Sequence, residues 1–125
     1  MPVLTVRALP QPAGVDVAAV ARRLGRELPP IMGVPPHGVF VTWQTVEPGL
    51  YSEGETPAEV QPRDTHPPLV ELAAYTGRSP ETIEKALLTI VEVLVDGLGL
   101  GDGNAFVRYT ELQAGRIYSG GRIRR

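Results

Sequence analysis

Residues 68–81 read Pro-Leu-Val-Glu-Leu-Ala-Ala-Tyr-Thr-Gly-Arg-Ser-Pro-Glu, and within them a strand gives way to a helix. Pro68–Tyr75 is the strand and Gly77-Arg78 the turn. Ser79-Pro80-Glu81 is a helix start, with a capping serine and a proline at the first helical position. Downstream, Ile83, Leu87, Ile90, Leu94 and Leu98 form a stripe at helical spacing that exits through Gly97–Gly103. That glycine cluster follows a helix instead of a strand, so it is not a dinucleotide fingerprint. Phe106–Leu112 closes the unit as a second strand. A βαβ unit sets its two strands parallel, with the helix crossing one face in the right-handed sense.

The first half repeats this order. Pro2–Ala8 is rich in β-branched residues and reads as a strand, broken by Pro10, Pro12 and Gly14. From about Asp16, the residues Val17, Val20, Ala21, Leu24 and Leu28 recur at helical spacing between charged positions, until Pro29-Pro30 stops the pattern. Val39–Val46 sets Val39, Val41 and Trp43 on one strand face and Phe40, Thr42 and Gln44 on the other. Glu47–Pro67, dense in Pro, Gly, Glu and Ser, reads as turn plus connector. The terminal Ile117-Tyr118-Ser119-Gly120-Gly121-Arg122 echoes Leu50-Tyr51-Ser52-Glu53-Gly54-Glu55, which marks a duplication. The expectation is one α+β domain over 1–125, with repeats at about 2–55 and 68–125. Its four-stranded sheet carries both helices on one face. The other face then needs a cover, and oligomerisation supplies one.

Composition narrows the function. With 125 residues, 42% apolar and 21% charged, the chain has the make-up of a globular protein, and a net charge of −2 argues against general attraction to nucleic acid. The basic run Arg122, Arg124, Arg125 reads as a solvated tail. The absence of cysteine excludes disulfides, thiol nucleophiles and thiolate metal sites, and fits a reducing cytoplasm. Neither a signal segment nor a membrane-spanning stretch is recognisable, because the most apolar run, around Ile90–Val95, is broken by Glu92. Two histidines, His37 in a loop and His66 in the connector, make no metal site, and no cofactor is implied.

Pro2 carries the chemistry. Removal of Met1, which a small second residue permits, leaves a secondary amine on a rigid ring. A free α-amine titrates near ~7.7–8.0, and an apolar pocket or nearby cations lower that value, so a substantial neutral fraction exists at neutral pH.

Pro68, Gly77-Arg78-Ser79, Val107-Arg108 with Thr110-Glu111, Gly120-Gly121 and Arg124-Arg125 together resemble a full subunit of 4-oxalocrotonate tautomerase. The first half is similar in layout. The whole resembles a fused, double-length member of the tautomerase superfamily, which implies the tautomerase/MIF-like fold and a homotrimer of fused chains. The resemblance also implies that the amino-terminal proline is the base and that arginines bind substrate carboxylates and polarise its oxygen. On this reading Pro2 is catalytic, whereas Pro68 is locked in a peptide bond. The arginines survive only as Arg78 and Arg108, with Pro12-Ala13 and Phe40 at the corresponding places of the first half. Each site would therefore join a first half to a second half, in one chain or in neighbours.

Departures bear on the substrate. At the family's aromatic wall stands Ile117, with Tyr118 one residue later and Tyr51 in the first half, so either tyrosine is a candidate lining residue. Where relatives resembling cis-3-chloroacrylate dehalogenase carry a second arginine and a water-activating glutamate, this chain has Tyr75 and Ser119, which disfavours hydrolytic dehalogenation. Gly33-Val34-Pro35 resembles the turn of malonate semialdehyde decarboxylase, but Pro36-His37 replaces its aspartate. The implied function is keto–enol tautomerisation of a small 2-hydroxy-dienoate or phenylenolpyruvate-type carboxylate. The alternatives are decarboxylation or hydration of a three-carbon acid, and a non-catalytic assembly role. Neither nucleic acid nor membrane is an expected partner.

Overall fold

The computed structural model describes residues 1–125. In chain order its elements are β1 (Val3–Ala8), α1 (Val17–Met32), β2 (Phe40–Thr45), β3 (Ser52–Glu53), β4 (Thr56–Pro57), β5 (Leu69–Tyr75), α2 (Pro80–Leu98), β6 (Phe106–Leu112), β7 (Ile117–Ser119) and β8 (Arg122–Arg124). Four strands form one sheet in the order β2-β1-β5-β6, and β3-β4 and β7-β8 are two-stranded hairpins. β1 runs parallel to β2, and β5 runs parallel to β6, as the crossover helices require. The two units meet through the antiparallel pair β1–β5, with Val3 opposite Ala73 and Val6 opposite Val70.

The strand starts and helix ends of the two units lie 66 residues apart. Pro2 and Pro68 begin equivalent strands, and their carbonyls accept 3.0 Å hydrogen bonds from Phe40 N and Phe106 N. Gly33 and Gly99 end α1 and α2 in the left-handed conformation, with φ of 69° and 67°. Gly38 and Asn104 donate to the carbonyls of Pro35 and Gly101. This register corrects one correspondence read from the sequence: Phe40 matches Phe106, and the counterpart of Arg108 is Thr42. The first half still lacks the arginine.

Leu4, Val6 and Ala8 of β1 and Val70, Leu72 and Ala74 of β5 alternate onto the helix side and are buried with Leu24, Leu28, Ile90 and Leu94. On β2, Val41 and Trp43 pack against this core. The uncovered face therefore carries the other set, with Phe40 49% and Phe106 55% exposed. Ser79 caps α2 by accepting from Thr82 N at 3.2 Å, and Asp16 caps α1 by accepting from Ala19 N at 3.0 Å.

Two expectations are corrected. Pro29-Pro30 does not stop α1, which continues to Met32. Proline lacks the N–H of a helical bond, and its ring restricts the preceding residue. Here the last turn is restored because Gly33 N and Val34 N both donate to Pro29 O. The connector is also not featureless: Tyr51-Ser52-Glu53-Gly54 opens the β3–β4 hairpin, in the place that Tyr118-Ser119-Gly120-Gly121 takes in β7–β8.

Two mid-helix glycines separate backbone propensity from packing. A Cβ on Gly25 would lie 3.8 Å from Val41, whereas on Gly97 it would fall 2.6 Å from Val20 Cγ2, at the α1–α2 crossing. Gly25→Ala is expected to stabilise by about 0.5–1 kcal/mol through helix propensity. Gly97→Ala gains the same term but overpacks the crossing, and is expected to destabilise by about 1 kcal/mol net. Thermal melting at one fixed protein concentration checks both signs.

Candidate active site

The amino terminus lies at one end of the sheet. Extending the β1–β5 register by two steps sets Pro2 beside Ala74 and Met1 beside Tyr75. Pro2 is fully buried. The Met1 amine is held below its ordinary value of 8.0, first by burial and then by the charges of Arg124 and Arg78. Two guanidiniums from distant parts of the chain thus face the start of β1, and neither forms an ion pair with a carboxylate.

Arg78 stands just before the cap of α2. Its Nε and Nη2 donate to Met32 O at 3.1 and 2.9 Å, and its Nη1 donates to Tyr75 O at 3.3 Å. Met32 is the last residue of α1, where a cation also complements the helix dipole. Arg78 therefore holds the helix end beyond Pro29-Pro30 while placing its charge near the amine.

Arg124 of β8 is half-buried and not a solvated tail residue. Its Nε donates to Ser119 O at 3.0 Å across the hairpin turn. Tyr75, Thr76, Ala114, Arg124 and Arg125 line a cavity of about 350 Å³. The hydroxyl of Tyr75 is buried without a hydrogen-bond partner. Sequence reasoning missed Arg124. The signal available for it was the alternation Arg122-Ile123-Arg124 after Gly120-Gly121, which is the pattern of a hairpin arm.

The β7–β8 pairing separates Ile117 from Tyr118. Ile117 is opposite Arg124 and shares its face, whereas Tyr118 is opposite Ile123, on the other face, and is 69% exposed. Arg108 is not beside Pro2 of its own chain. It lies on the open sheet face in the row Thr5–Glu71–Arg108, and its Nη2 pairs with Glu71 Oε2 at 2.6 Å. Three residues along and two strands across place it ~14 Å from Pro2.

Tyr51 is likewise elsewhere, at the Pro68 end of the sheet. Its hydroxyl donates to Pro67 O at 2.6 Å, and its ring meets His66 edge-on at 5.1 Å. Burial, and then Glu53, push its phenol above the ordinary value. This second end is filled by the chain itself. Gln61 Nε2 donates to the carbonyls of Pro62, Thr65 and His66, and Asn104 Nδ2 to those of Arg63 and Thr65. Buried His66 bonds Thr56 O through Nε2 at 2.7 Å. His37 is exposed, and no cluster of three His, Cys, Asp or Glu side chains could hold a metal. No helix is long and apolar enough to cross a membrane.

Among solved structures, a native fused 4-OT is 21% identical, with 97% of this chain and 94% of that chain covered and a TM-score of 0.80. A member of the cis-3-chloroacrylic acid dehalogenase family is 22% identical, with 98% and 83% covered and a TM-score of 0.74. A wild-type fused 4-OT that forms an asymmetric trimer is 17% identical, with 97% and 94% covered and a TM-score of 0.80. The fold is that of these proteins, an α+β sheet of two fused βαβ units. No family model and no curated protein sequence matches the chain.

The geometry assigns Arg78 a structural share. Arg78→Ala leaves Met32 O without its two-pronged donor and is expected to destabilise by about 1.5 kcal/mol. Arg78→Lys, with one point donor, should recover part of that. Melting curves of the two variants provide the check.

Proposed function

We propose that the chain is a cofactor-independent keto–enol tautomerase of the tautomerase superfamily, acting on a small 2-hydroxy-dienoate or phenylenolpyruvate-type carboxylate. The observation that carries this reading is the buried amino-terminal end of β1, faced by two unpaired guanidiniums that hold its amine below the ordinary value. Removal of Met1 moves the amine onto the Pro2 ring nitrogen, one residue deeper in the same surroundings. The neutral ring nitrogen takes a proton from the enol oxygen or from the carbon α to the carbonyl. The resulting ammonium returns that proton to another carbon. Arginine charge stabilises the enolate-like oxygen that develops in between. The same field disfavours protonated Pro2 and keeps the base active near neutral pH.

The assembly belongs to the same reading. The open sheet face gathers Thr5, Arg7, Gln44, Glu71, Phe106 and Arg108 around a groove of about 500 Å³. A homotrimer, the state of the wild-type fused 4-OT above, would cover this face and carry Arg108 and the exposed Tyr118 toward neighbouring chains. Arg108 then serves a site in trans. A chain mass of 13.5 kDa predicts a particle of about 40 kDa by light scattering, and a monomer would contradict the trimer.

Ketonisation of 2-hydroxymuconate and phenylenolpyruvate, followed in the ultraviolet with mass-verified Met1-free protein, tests the base. Pro2→Ala is expected to lower kcat/KM by about a hundredfold or more, and full turnover in that variant would refute the mechanism. The active species is the neutral amine, and the burial and charges that lower the Met1 amine should act in the same direction on the Pro2 nitrogen. Activity should therefore rise with pH through a midpoint below that of an ordinary α-amine and stay high above it.

A further inference from the structure

A guanidinium offers five N–H donors, and what remains after the protein's own bonds is available to a ligand. Arg78 engages all three of its nitrogens with backbone carbonyls. Arg108 is paired with Glu71. Arg124 uses Nε alone, on Ser119 O, and both of its Nη groups have no partner in the protein. The bond to Ser119 also fixes the plane of the fork. It is fitted over the hairpin turn, where Gly120 has φ of +61° and a Cβ would fall 2.5 Å from Nη2. Glycine at 120 thus satisfies the backbone conformation and leaves room for the guanidinium.

We infer that Arg124 is the carboxylate-binding fork of this site, receiving one carboxylate of a small 2-oxo or 2-hydroxy acid in the cavity that Arg124 lines with Tyr75 and Thr76. This rests on the tautomerase reading and deepens it by naming the group that holds the substrate within a single chain. A carboxylate accepts two parallel N–H bonds from such a fork, which sets its orientation as well as its affinity. Ile117, on the same hairpin face, gives the unsaturated body of the acid an apolar neighbour. Tyr75, whose buried hydroxyl has no partner in the protein, forms part of the cavity wall. The charge of Arg124 also reaches the amino-terminal end of β1, where with burial it lowers the Met1 amine.

The test is calorimetric titration of Met1-free protein with fumarate, a carboxylate probe that cannot tautomerise. Arg124→Gln is expected to weaken fumarate binding at least about tenfold. Arg122→Gln, on the same hairpin but outside the cavity, should remain within about twofold. Gly120→Ala, which pushes the fork aside with Arg124 still present, should weaken binding at least about threefold. Should Arg124→Gln melt early, Arg124→Lys carries the test: it keeps the charge, lacks the fork, and should weaken binding at least about threefold. Binding unchanged in the Arg124 and Gly120 variants would overturn the inference, as would an absence of fumarate binding to the parent protein. Pro2→Ala should bind fumarate like the parent, so failure of the base and failure of the fork remain separate results.

Discussion

The antiparallel pairing of β1 with β5 is the constraint on which the rest of the molecule depends. It joins two like βαβ units head to tail, so that equivalent strand starts lie at opposite ends of one sheet. Each start is met by the same backbone bond, from Phe40 to Pro2 at one end and from Phe106 to Pro68 at the other. The ends are alike in geometry and unlike in chemistry, because a chain has one α-amine. At Pro68 the connector brings the chain in, and its residues pack around that strand start. Buried polar groups need partners, and Gln61, His66 and Asn104 find theirs in the connector's own carbonyls and in Thr56. One end is sealed by a satisfied network, and the other keeps donors in reserve.

Among the arginines, surroundings matter more than charge. Arg78 is bound to the last carbonyl of a helix that contains two prolines near its end, so part of its work is done before any ligand arrives. Arg108 faces a carboxylate in a cross-strand row, with Thr110 donating to the same oxygen at 3.1 Å. Of the two arginines that face the amine, only Arg124 is held by one bond and otherwise free. A family resemblance transfers positions, whereas the hydrogen bonds of the folded chain decide what each position can still do.

The elements with local signals were legible. Ser79-Pro80 announced the start of α2, the apolar stripes announced both helices, and strand alternation separated Val41 and Trp43 from Phe40 and Thr42. What failed depended on distant contacts. The end of α1 rests on a clamp from Arg78, 46 residues away in sequence, which no local reading of Pro29-Pro30 could include. The match of Arg108 to Thr42 required the strand register, which is set by the ladder and not by composition. Tyr51 and Tyr118 follow the same echo in sequence, yet Tyr51 seals the Pro68 end through its bond to Pro67 O, and Tyr118 faces outward. Arg124 sits in a run of cations that reads as a tail until β7–β8 gives it a face.

The site is also electrostatically unbalanced, and this follows from its chemistry. Arg78 and Arg124 both act on one amine, and no carboxylate of the chain neutralises either. Like charges held together in a partly desolvated place disfavour the fold, whereas at the other end of the sheet Gln61, His66 and Asn104 find partners in the chain. A protein that needed only stability would put an acid beside these arginines, as Glu71 stands beside Arg108. With no acid in that place, burial and the two charges hold the amino-terminal amine below its ordinary value. On the proposed mechanism a bound carboxylate would offset that field, and the proline ring would gain affinity for a proton as the substrate presents one. Substrate binding and base strength would then be coupled through the same two charges, because the anion that the arginines hold is also what relieves their field on the amine.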